Sequence, residues 1–297
     1  MSAAGSVDRA LQRARALGID RLDAALLLAH QLGRTRAWLL AHGDHALSAA
    51  QVNAFEADCR RRLDDVPLAY LVGEREFHGL ALQVGPDVLV PRPETEVLAD
   101  WALELLNHGE LRQLSAPRVL DLGTGSGALA LAVAAGCPRA FVTATDRSAA
   151  ALARAHANGE RLGLRVRWLA GHWWQAVGDE RFDIVVANPP YVAEGDPHLP
   201  ALKHEPQQAL LAGPDGLAAL REIACGAARH VAHWLLVEHG CDQGAAVAAL
   251  LAAAGGQDAQ MRRDLAGHAR CSGARWRATD ASGGAAACTP QTPEGDG

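Results

Sequence analysis

The chain has 297 residues, of which 49% are hydrophobic and 21% charged, and its formal net charge at pH 7 is −6. This length accommodates two domains of ordinary size, and the acidic balance gives no electrostatic reason to expect nucleic-acid binding. The six cysteines include no Cys-x-x-Cys pair, which argues against zinc and against a disulfide framework and indicates a reducing compartment.

The sequence carries no signal for export or membrane insertion. Its N-terminus alternates Arg and Asp with Ala and Leu, so it lacks the apolar centre of a signal peptide. No uninterrupted apolar run is long enough to cross a bilayer. We therefore expect a cytoplasmic protein with no membrane partner.

The first 65 or so residues predict a small all-helical unit, because apolar residues recur at helical spacing between capping residues. Gly18 and Gly33 are suited to helix ends, and Asp20 is suited to cap the second helix. Ser48 and Gln51 form a capping box for a third helix. The stripes expected to be buried are Val7, Ala10, Leu11, Ala14 and Leu17, then Leu22, Ala25, Leu26, Ala29 and Leu32, and finally Val52, Phe55 and Cys59.

After Pro67 the sequence pattern changes from helical to strand-like spacing of apolar residues. Strand-like pieces between Phe77 and Val90, broken by glycine and proline, predict a hairpin or an extended bridge. Residues 91–96 (Pro-Arg-Pro-Glu-Thr-Glu) then begin a helix, since Pro suits its first turn and Glu its positive end. The buried stripe of this helix is expected to be Val97, Leu98, Trp101 and Leu105.

From Pro117 onward, apolar strands alternate with alanine-rich helices. This alternation predicts a doubly wound, mostly parallel sheet. The expected strands are 118–122, 141–145, 165–169, 182–187 and 234–238, with two weaker ones near 258–263 and 269–276. After about Arg277 the composition changes to Ala, Gly, Thr and Pro, which predicts a disordered tail.

A glycine-rich loop over residues 121–127 (Asp-Leu-Gly-Thr-Gly-Ser-Gly) lies between the first of these strands and a helix. Glycine suits this position because the backbone turns sharply and a cofactor must approach it closely. Asp146 ends the next strand, where a carboxylate can accept hydrogen bonds from ribose hydroxyls. On these residues alone, S-adenosylmethionine (SAM) and a dinucleotide such as NAD or FAD stay open.

Residues 188–191 (Asn-Pro-Pro-Tyr) decide between these cofactors because they follow the strand 182–187 directly. The Asn188 side-chain oxygen and the Pro189 carbonyl can accept both N–H bonds of a planar NH2 group, which aims the nitrogen lone pair at a methyl donor. Neither Pro189 nor Pro190 has an N–H that could compete. Tyr191 can stack on the flat group and exclude water. Hydride transfer has no use for this arrangement.

The chain resembles the PrmC/HemK protein-(glutamine-N5) methyltransferases from about residue 66 to 277. The motifs that carry this resemblance are 67–70 (Pro-Leu-Ala-Tyr), 90–96, 120–127, 188–191, 205–206 (Glu-Pro), 213–217 (Gly-Pro-Asp-Gly-Leu), 238–240 (Glu-His-Gly) and 264–267 (Asp-Leu-Ala-Gly). Their common order in this chain is far more specific than any one of them alone.

The resemblance implies a Rossmann-like class I SAM-dependent methyltransferase with a seven-stranded, mostly parallel sheet whose last strand is antiparallel. It implies a helical substrate-recognition domain over 1–75, a β-hairpin linker over 76–93, a SAM-binding domain over 94–278 and a disordered tail over 279–297. SAM is the implied methyl donor, S-adenosylhomocysteine (SAH) the product, and the glutamine of the Gly-Gly-Gln motif of class 1 release factors the acceptor. We expect a monomer without a direct nucleic-acid partner.

The resemblance also assigns site residues by position. The implied SAM contacts are Gly123, Thr124, Gly125, Ser126, Gly127, Asp146, Trp173 and Asn188. The glutamine amide would be held by Asn188, Pro189, Pro190 and Tyr191, of which Asn188, Pro189 and Tyr191 are the expected catalytic residues. Arg92 and Glu94 are expected near the same cleft.

One residue departs from the family pattern, which has Gly-Asp-Trp where this chain has Gly171-His172-Trp173. An acidic side chain would accept a hydrogen bond from the adenine amine, whereas neutral His172 offers one acceptor nitrogen and protonated His172 none.

Three rival functions stay open. One is a glutamine methyltransferase acting on a ribosomal protein, and another is an adenine-N6 nucleic-acid methyltransferase, whose target is also a planar NH2 group. The third is a SAM-binding protein without enzymatic activity.

Overall fold

The computed structural model of the chain describes residues 5–277, so the predicted tail lies outside the described residues. The N-terminal part is helical, as expected. Its elements are β1 (Gly5–Ser6), α1 (Val7–Ala16), α2 (Arg21–Leu32), α3 (Arg36–Ala41), β2 (Ala46–Leu47), α4 (Ala49–Leu63) and α5 (Leu68–Val72). The predicted domain boundaries stay predictions.

The predicted helix caps are confirmed. Asp20 accepts hydrogen bonds from the backbone N–H groups of Leu22 and Asp23 at the start of α2. Ser48 and Gln51 form the reciprocal capping box of α4, with N–O distances of 3.2 and 2.9 Å. The orphan N–H groups at these helix starts are therefore satisfied by local side chains.

The predicted buried stripes are only partly right. Leu17 and Leu22 are 51% and 45% exposed, so their predicted burial is wrong. The buried residues of α2 are Ala24, Leu27, Leu28 and Ala29. The run from Ala24 to Ala29 is apolar on every face, so periodicity alone could not decide which face is buried. Contacts of α2 with α1, α4 and α5 decide it.

A short hairpin connects this helical region to the sheet. Its strands are β3 (Glu74–Phe77) and β4 (Leu80–Gln83), so it begins and ends earlier than the sequence predicts. The Asn158 side chain fixes β4, since its Oδ1 accepts from Gln83 N at 2.7 Å and its Nδ2 donates to Gln83 O at 3.0 Å. The segment from Val84 to Val90 is not a strand.

The remaining helices are α6 (Glu96–Asn107), α7 (Ala128–Gly136), α8 (Ala149–Leu162), α9 (Ala218–His230) and α10 (Gly244–Ala253). A turn of 3-10 helix over Pro93–Thr95 precedes α6. Leu98 and Trp101 of α6 are buried as expected, but Val97 and Leu105 are only partly buried and Leu106 is fully buried instead. No helix within residues 5–277 combines the length and apolar character that crossing a bilayer requires.

All seven predicted strands of the main sheet are confirmed, two of them (118–122 and 182–187) with the predicted ends and the other five with ends shifted by one to three residues. They are β5 (Arg118–Leu122), β6 (Phe141–Asp146), β7 (Arg167–Ala170), β8 (Phe182–Ala187), β9 (Val231–Glu238), β10 (Gln257–Arg263) and β11 (Ala269–Arg275). Their spatial order is β10-β11-β9-β8-β5-β6-β7. The last strand, β11, is antiparallel to both of its neighbours, as the resemblance implies.

This topology places several chain segments at one edge of the sheet. The strands β5, β6, β7 and β8 are parallel, and the carboxyl ends of parallel strands meet at one edge. Leu122 is paired with Ala187, so the glycine loop after β5 and Asn188 after β8 begin side by side. Separate apolar clusters pack on the two faces of the sheet and support this edge.

Candidate active site

A cavity of about 270 Å³ lies at the carboxyl edge of the sheet. Its volume is close to the lower end of those typical for small-molecule sites. Among the predicted site residues, those that line it are Gly123, Thr124, Gly125, Ser126, Asp146, Trp173, Asn188 and Pro190. Gly127, Pro189 and Tyr191 do not line it. The cavity therefore brings together most of the predicted site residues, and their contacts with a ligand stay predictions.

The glycine loop forms one wall of the cavity. Gly123 has a φ of +74°, and a Cβ there would lie 3.0 Å from the ring of Trp173. Gly127 has a φ of +87°, and a Cβ there would lie 3.0 Å from Leu131 and 3.2 Å from Ala155. Both positions therefore require glycine, but for different reasons: Gly123 admits the Trp173 ring, whereas Gly127 lets α7 pack closely on α8.

Asp146 holds this wall in place. Its Oδ2 accepts a hydrogen bond from Gly125 N at 2.9 Å, and its Oδ1 accepts from Ser148 N at 2.8 Å. Each carboxylate oxygen has lone pairs left for further donors. Since Asp146 also lines the cavity, it can serve both the loop and a ligand with hydroxyl groups.

Asp121 contributes a second carboxylate. It is buried near the end of β5, the strand that leads into the glycine loop. Its Oδ2 accepts from the Thr124 hydroxyl at 2.6 Å and from Ala130 N at 3.2 Å. Its Oδ1 is buried without a hydrogen-bond partner among the described residues. Burial raises the pKa of Asp121 to about 7, against the opposing effect of both donors. An unpaired buried acceptor that lines a cavity is suited to a cationic donor.

Trp173 and His172 line the cavity next to the glycine loop. Trp173 has a φ of +44°, a conformation that is unfavourable for a large side chain and is concentrated at functional sites. Its Nε1 is buried without a partner among the described residues. His172 Nδ1 lies 3.6 Å from Oε2 of Glu222, which reaches the cavity from α9. A flat ring and an imidazole–carboxylate pair therefore face the cavity together.

The neighbouring Trp174 belongs to the core rather than to the cavity. Its Nε1 donates to Ile223 O at 3.1 Å, and its ring stacks on His230 at 4.9 Å.

Asn188 presents an amide to the cavity. Its Nδ2 donates to the Thr95 hydroxyl at 3.1 Å. Its Oδ1 makes no hydrogen bond with any described residue, and no described donor reaches the Pro189 carbonyl. The two acceptors that the sequence predicts for a planar NH2 group are therefore not engaged by any of residues 5–277.

Tyr191 faces away from this cavity. Its hydroxyl donates to Oε1 of Glu238 at 3.2 Å, and burial raises its pKa far above the ordinary value. Its carbonyl accepts from Gln243 Nε2 at 3.1 Å. A Cβ on Gly216 would overlap the same carbonyl, so glycine is required there. These contacts fix the course of the chain after Asn188.

Arg92 and Glu94 lie beside the cavity without lining it. The Arg92 guanidinium pairs with Glu205, which is 5% exposed and also accepts from Val90 N at 3.0 Å. This pair ties the segment before α6 to the loop after β8. Pro91 and Thr95, on either side of Arg92 and Glu94, do line the cavity.

Sequence reasoning assigned no role to Thr95, Asp121, Glu222 or Glu238. Asp121, Thr95 and Glu238 fall inside motifs that carried the family resemblance, so their positions were visible but their contacts were not. Glu222 gave no signal, because a glutamate on an amphipathic helix is ordinarily a solvated residue.

Two family models match separate parts of the chain, the helical N-terminal region and the sheet region. Residues 7–73 match the family model of the PrmC N-terminal domain, and residues 100–209 match that of the methyltransferase small domain. The chain is 51% identical over 263 residues to the release factor glutamine methyltransferase of Bordetella pertussis strain Tohama I, covering 86% of this chain and 95% of that protein. Identity to the protein of the same name from Xylella fastidiosa strain Temecula1 is 50% over 242 residues, covering 80% and 86%.

Among solved structures, the hMettl16 catalytic domain in complex with MAT2A 3'UTR hairpin 1 is similar to this chain. The TM-score is 0.53 at 15% sequence identity, and the match covers 79% of this chain and 82% of that one. Identity this low shows a shared fold alone.

Proposed function

The chain belongs to the release factor glutamine methyltransferase family, and from this premise we propose that it methylates the side-chain amide nitrogen of the glutamine in the Gly-Gly-Gln motif of class 1 release factors. The seven-stranded sheet is that of a class I SAM-dependent methyltransferase. SAM is the proposed methyl donor and SAH the product.

One observation supports the proposed chemistry above the others. At the cavity, Asn188 donates from Nδ2 to Thr95, so its Oδ1 is left as an acceptor for an incoming NH2 group. An adenine amine would be accepted in the same way, so the choice of a glutamine rests on the family. The relatives named release factor glutamine methyltransferase cover most of this chain.

The residues around the cavity fit SAM. Asp146 can accept from ribose hydroxyls while it holds Gly125 N. The unpaired Oδ1 of Asp121 is suited to the ammonium group of the methionine part. The ring of Trp173, packed against Gly123, offers a flat surface to adenine, with His172 and Glu222 beside it.

Catalysis in this proposal depends mainly on orientation. A carboxamide nitrogen is a poor nucleophile because its lone pair is delocalised, and bound SAM supplies an electrophilic methyl group. The Oδ1 of Asn188 and the carbonyl of Pro189 would hold the two N–H bonds, which aligns the lone pair with the methyl group. Such alignment can supply roughly 7–11 kcal/mol of the barrier in favourable cases.

The same acceptors would also stabilise the transition state. As the methyl group is transferred, positive charge develops on the nitrogen and its N–H bonds become stronger donors. Both oxygens then bind more strongly than in the ground state, which is the condition for accelerating the chemical step. One proton must leave the nitrogen in exchange for the methyl group.

A methyl-transfer assay with labelled SAM tests the proposal on three substrates: a class 1 release factor, a ribosomal protein and duplex DNA. We expect label on the release factor alone, and one added methyl group on the Gly-Gly-Gln peptide in mass spectrometry. Label on the ribosomal protein or the DNA, with none on the release factor, would support a rival function instead.

The change His172→Asp is expected to make SAM binding less dependent on pH. The His172 ring loses its last acceptor nitrogen on protonation, whereas an aspartate stays an acceptor. Affinity for SAM should fall between about pH 8 and about pH 5.5 in both proteins. We expect the fall in wild type to be roughly 3- to 10-fold larger than the fall in His172→Asp.

Titration calorimetry with SAH at several pH values measures this difference. The matched control is His156→Asp, since His156 is an exposed histidine of α8 that does not line the cavity. Equal affinities of wild type and His172→Asp across the whole pH range would contradict the assignment of His172 to the adenine end.

The proposed substrate also bears on partners and location. Release factors work on ribosomes, so we propose a cytoplasmic enzyme whose partner is the release factor itself. The helical N-terminal region is its proposed recognition surface, because residues 7–73 match a family-specific model.

A further inference from the structure

A set of buried polar groups lies behind the amide of Asn188. Asn188 Nδ2 donates to Thr95 Oγ1 at 3.1 Å, and Thr95 is only 3% exposed. Beyond Thr95 lies Glu238, which is 1% exposed at the end of β9. Because β9 pairs with β8, with Val237 opposite Ala187, Glu238 at the end of β9 lies beside Asn188, the first residue after β8.

Thr95 does not have the usual role of a threonine at this position. It immediately precedes α6, where a threonine side chain ordinarily caps the first turn. Here its φ and ψ are −68° and −20°, and its side chain makes no capping hydrogen bond. Its hydroxyl is therefore available to Asn188 on one side and Glu238 on the other.

One carboxylate oxygen of Glu238 can accept a hydrogen bond from this hydroxyl. Its Oε1 accepts from the Tyr191 hydroxyl at 3.2 Å, whereas its Oε2 is buried without a hydrogen-bond partner among residues 5–277. The Thr95 hydroxyl lies close enough to act as a donor that favours the charged form of Glu238.

We propose that Glu238 and Thr95 are positioning residues that keep the Oδ1 of Asn188 directed at the substrate amide. A threonine hydroxyl has one proton, and a carboxylate can only accept. Once that proton points to Glu238, Thr95 presents lone pairs alone to Asn188. Asn188 must then turn its NH2 group towards Thr95 and its oxygen towards the cavity. This role rests on the proposed function, since only an acceptor for an NH2 group requires that orientation.

The arrangement predicts a dependence on the protonation of Glu238. Burial raises the pKa of Glu238 to about 7, while the Thr95 and Tyr191 hydroxyls favour its charged form. The other charged or titratable groups near it are Arg270 and Cys271 of β11 and Glu94 of the 3-10 turn. A protonated Glu238 can donate to Thr95, and the hydroxyl proton is then free to face Asn188. The rate should therefore fall as the pH drops through about 7.

The test compares Thr95→Val with Thr95→Ser. Valine has the shape of threonine without the hydroxyl, whereas serine keeps the hydroxyl. We expect Thr95→Val to lower kcat by roughly 10-fold, with the Kd for SAH changed by less than about 3-fold, and Thr95→Ser to restore most of kcat. Equal kcat for wild type and Thr95→Val, or equal losses in both variants, would overturn the proposal.

The pH profile gives a second measurement. In Glu238→Gln we expect a low kcat that no longer falls with acid, because the group that titrates is gone. An acid limb that persists unchanged in Glu238→Gln would count against the role of Glu238.

A third measurement does not depend on the substrate. The chain contains four asparagines, so selective 15N labelling of asparagine resolves the side-chain NH2 group of Asn188. We expect slow exchange of these protons with water in wild type and Thr95→Ser, and fast exchange in Thr95→Val. Asn158, held by Gln83 O and Ser126 O, is the internal control. Unchanged exchange in Thr95→Val would reject the role of Thr95, whereas an inactive wild type with the expected exchange pattern would reject only the proposed substrate.

Discussion

Replacing Asn188 by alanine is expected to lower kcat for methylation of the release factor by roughly 100- to 1,000-fold, the loss typical when one preorganised transition-state contact is removed. In the proposed function the Asn188 side chain supplies one of the two acceptors, and its Oδ1 has no hydrogen-bond partner among residues 5–277. SAM should still bind, because Asp146, Asp121 and Trp173 are untouched. The measurement is single-turnover methyl transfer together with a separate titration of SAH.

The controls separate loss of chemistry from loss of structure. Asn107→Ala removes an amide that binds Gly136 O and Arg139 far from the cavity, so its kcat should stay close to wild type. Asn188→Asp keeps an oxygen at the site but loses the donor to Thr95, and we expect an intermediate rate. If Asn188→Ala transfers methyl groups as fast as Asn107→Ala, orientation by this side chain is not the mechanism.

The sheet could be predicted from the sequence because its signals are local. Strand β8 is a run of β-branched and apolar residues with clear ends, and the structure begins and ends it at the predicted positions, Phe182 and Ala187. Parallel strands are buried on both faces, so their composition alone marks them. The glycine loop and Asp146 follow such strands directly. Because these strands are parallel neighbours, the glycine loop and Asp146 lie together at the carboxyl edge of the sheet.

The helical region was harder to predict because its signals are ambiguous. Helix α3 (Arg36–Ala41) is only six residues long and had no recognisable pattern. In α2, consecutive leucines fit more than one stripe, and contacts with other helices determine which of them is buried. Periodicity measures the pattern of one segment, whereas burial depends on what the fold places against it.

The site shows the same limit at a smaller scale. The sequence predicts that Asn188 and Tyr191 serve one ligand because they are close in the chain. In the structure Asn188 faces the cavity, whereas Tyr191 donates to Glu238, 47 residues further along the chain. The partner of Asn188 is Thr95, 93 residues earlier. Contacts across such separations depend on strand order, so they became visible only in three dimensions.

Replacing Asp146 by alanine is expected to have the largest effect on cofactor binding. Asp146 holds Gly125 N and Ser148 N, and its remaining lone pairs face the cavity. The change would remove the proposed acceptor for the ribose hydroxyls and loosen the glycine loop at once. Hydrogen bonds to a charged group contribute about 1.5–3 kcal/mol each, so we expect affinity for SAH to fall by roughly 10- to 100-fold or more.

Titration calorimetry with SAH measures that loss, and Asp179→Ala is the matched control because Asp179 is 81% exposed and away from the cavity. Asp146→Ala should act through affinity for the cofactor. At saturating SAM the rate of Asp146→Ala should therefore approach that of wild type, whereas the rate of Asn188→Ala should stay low. This contrast would separate the proposed roles of the two loops, which are cofactor binding for the loop after β6 and orientation of the substrate amide for the loop after β8. Equal affinity of Asp146→Ala and Asp179→Ala for SAH would place the ribose elsewhere in the cavity.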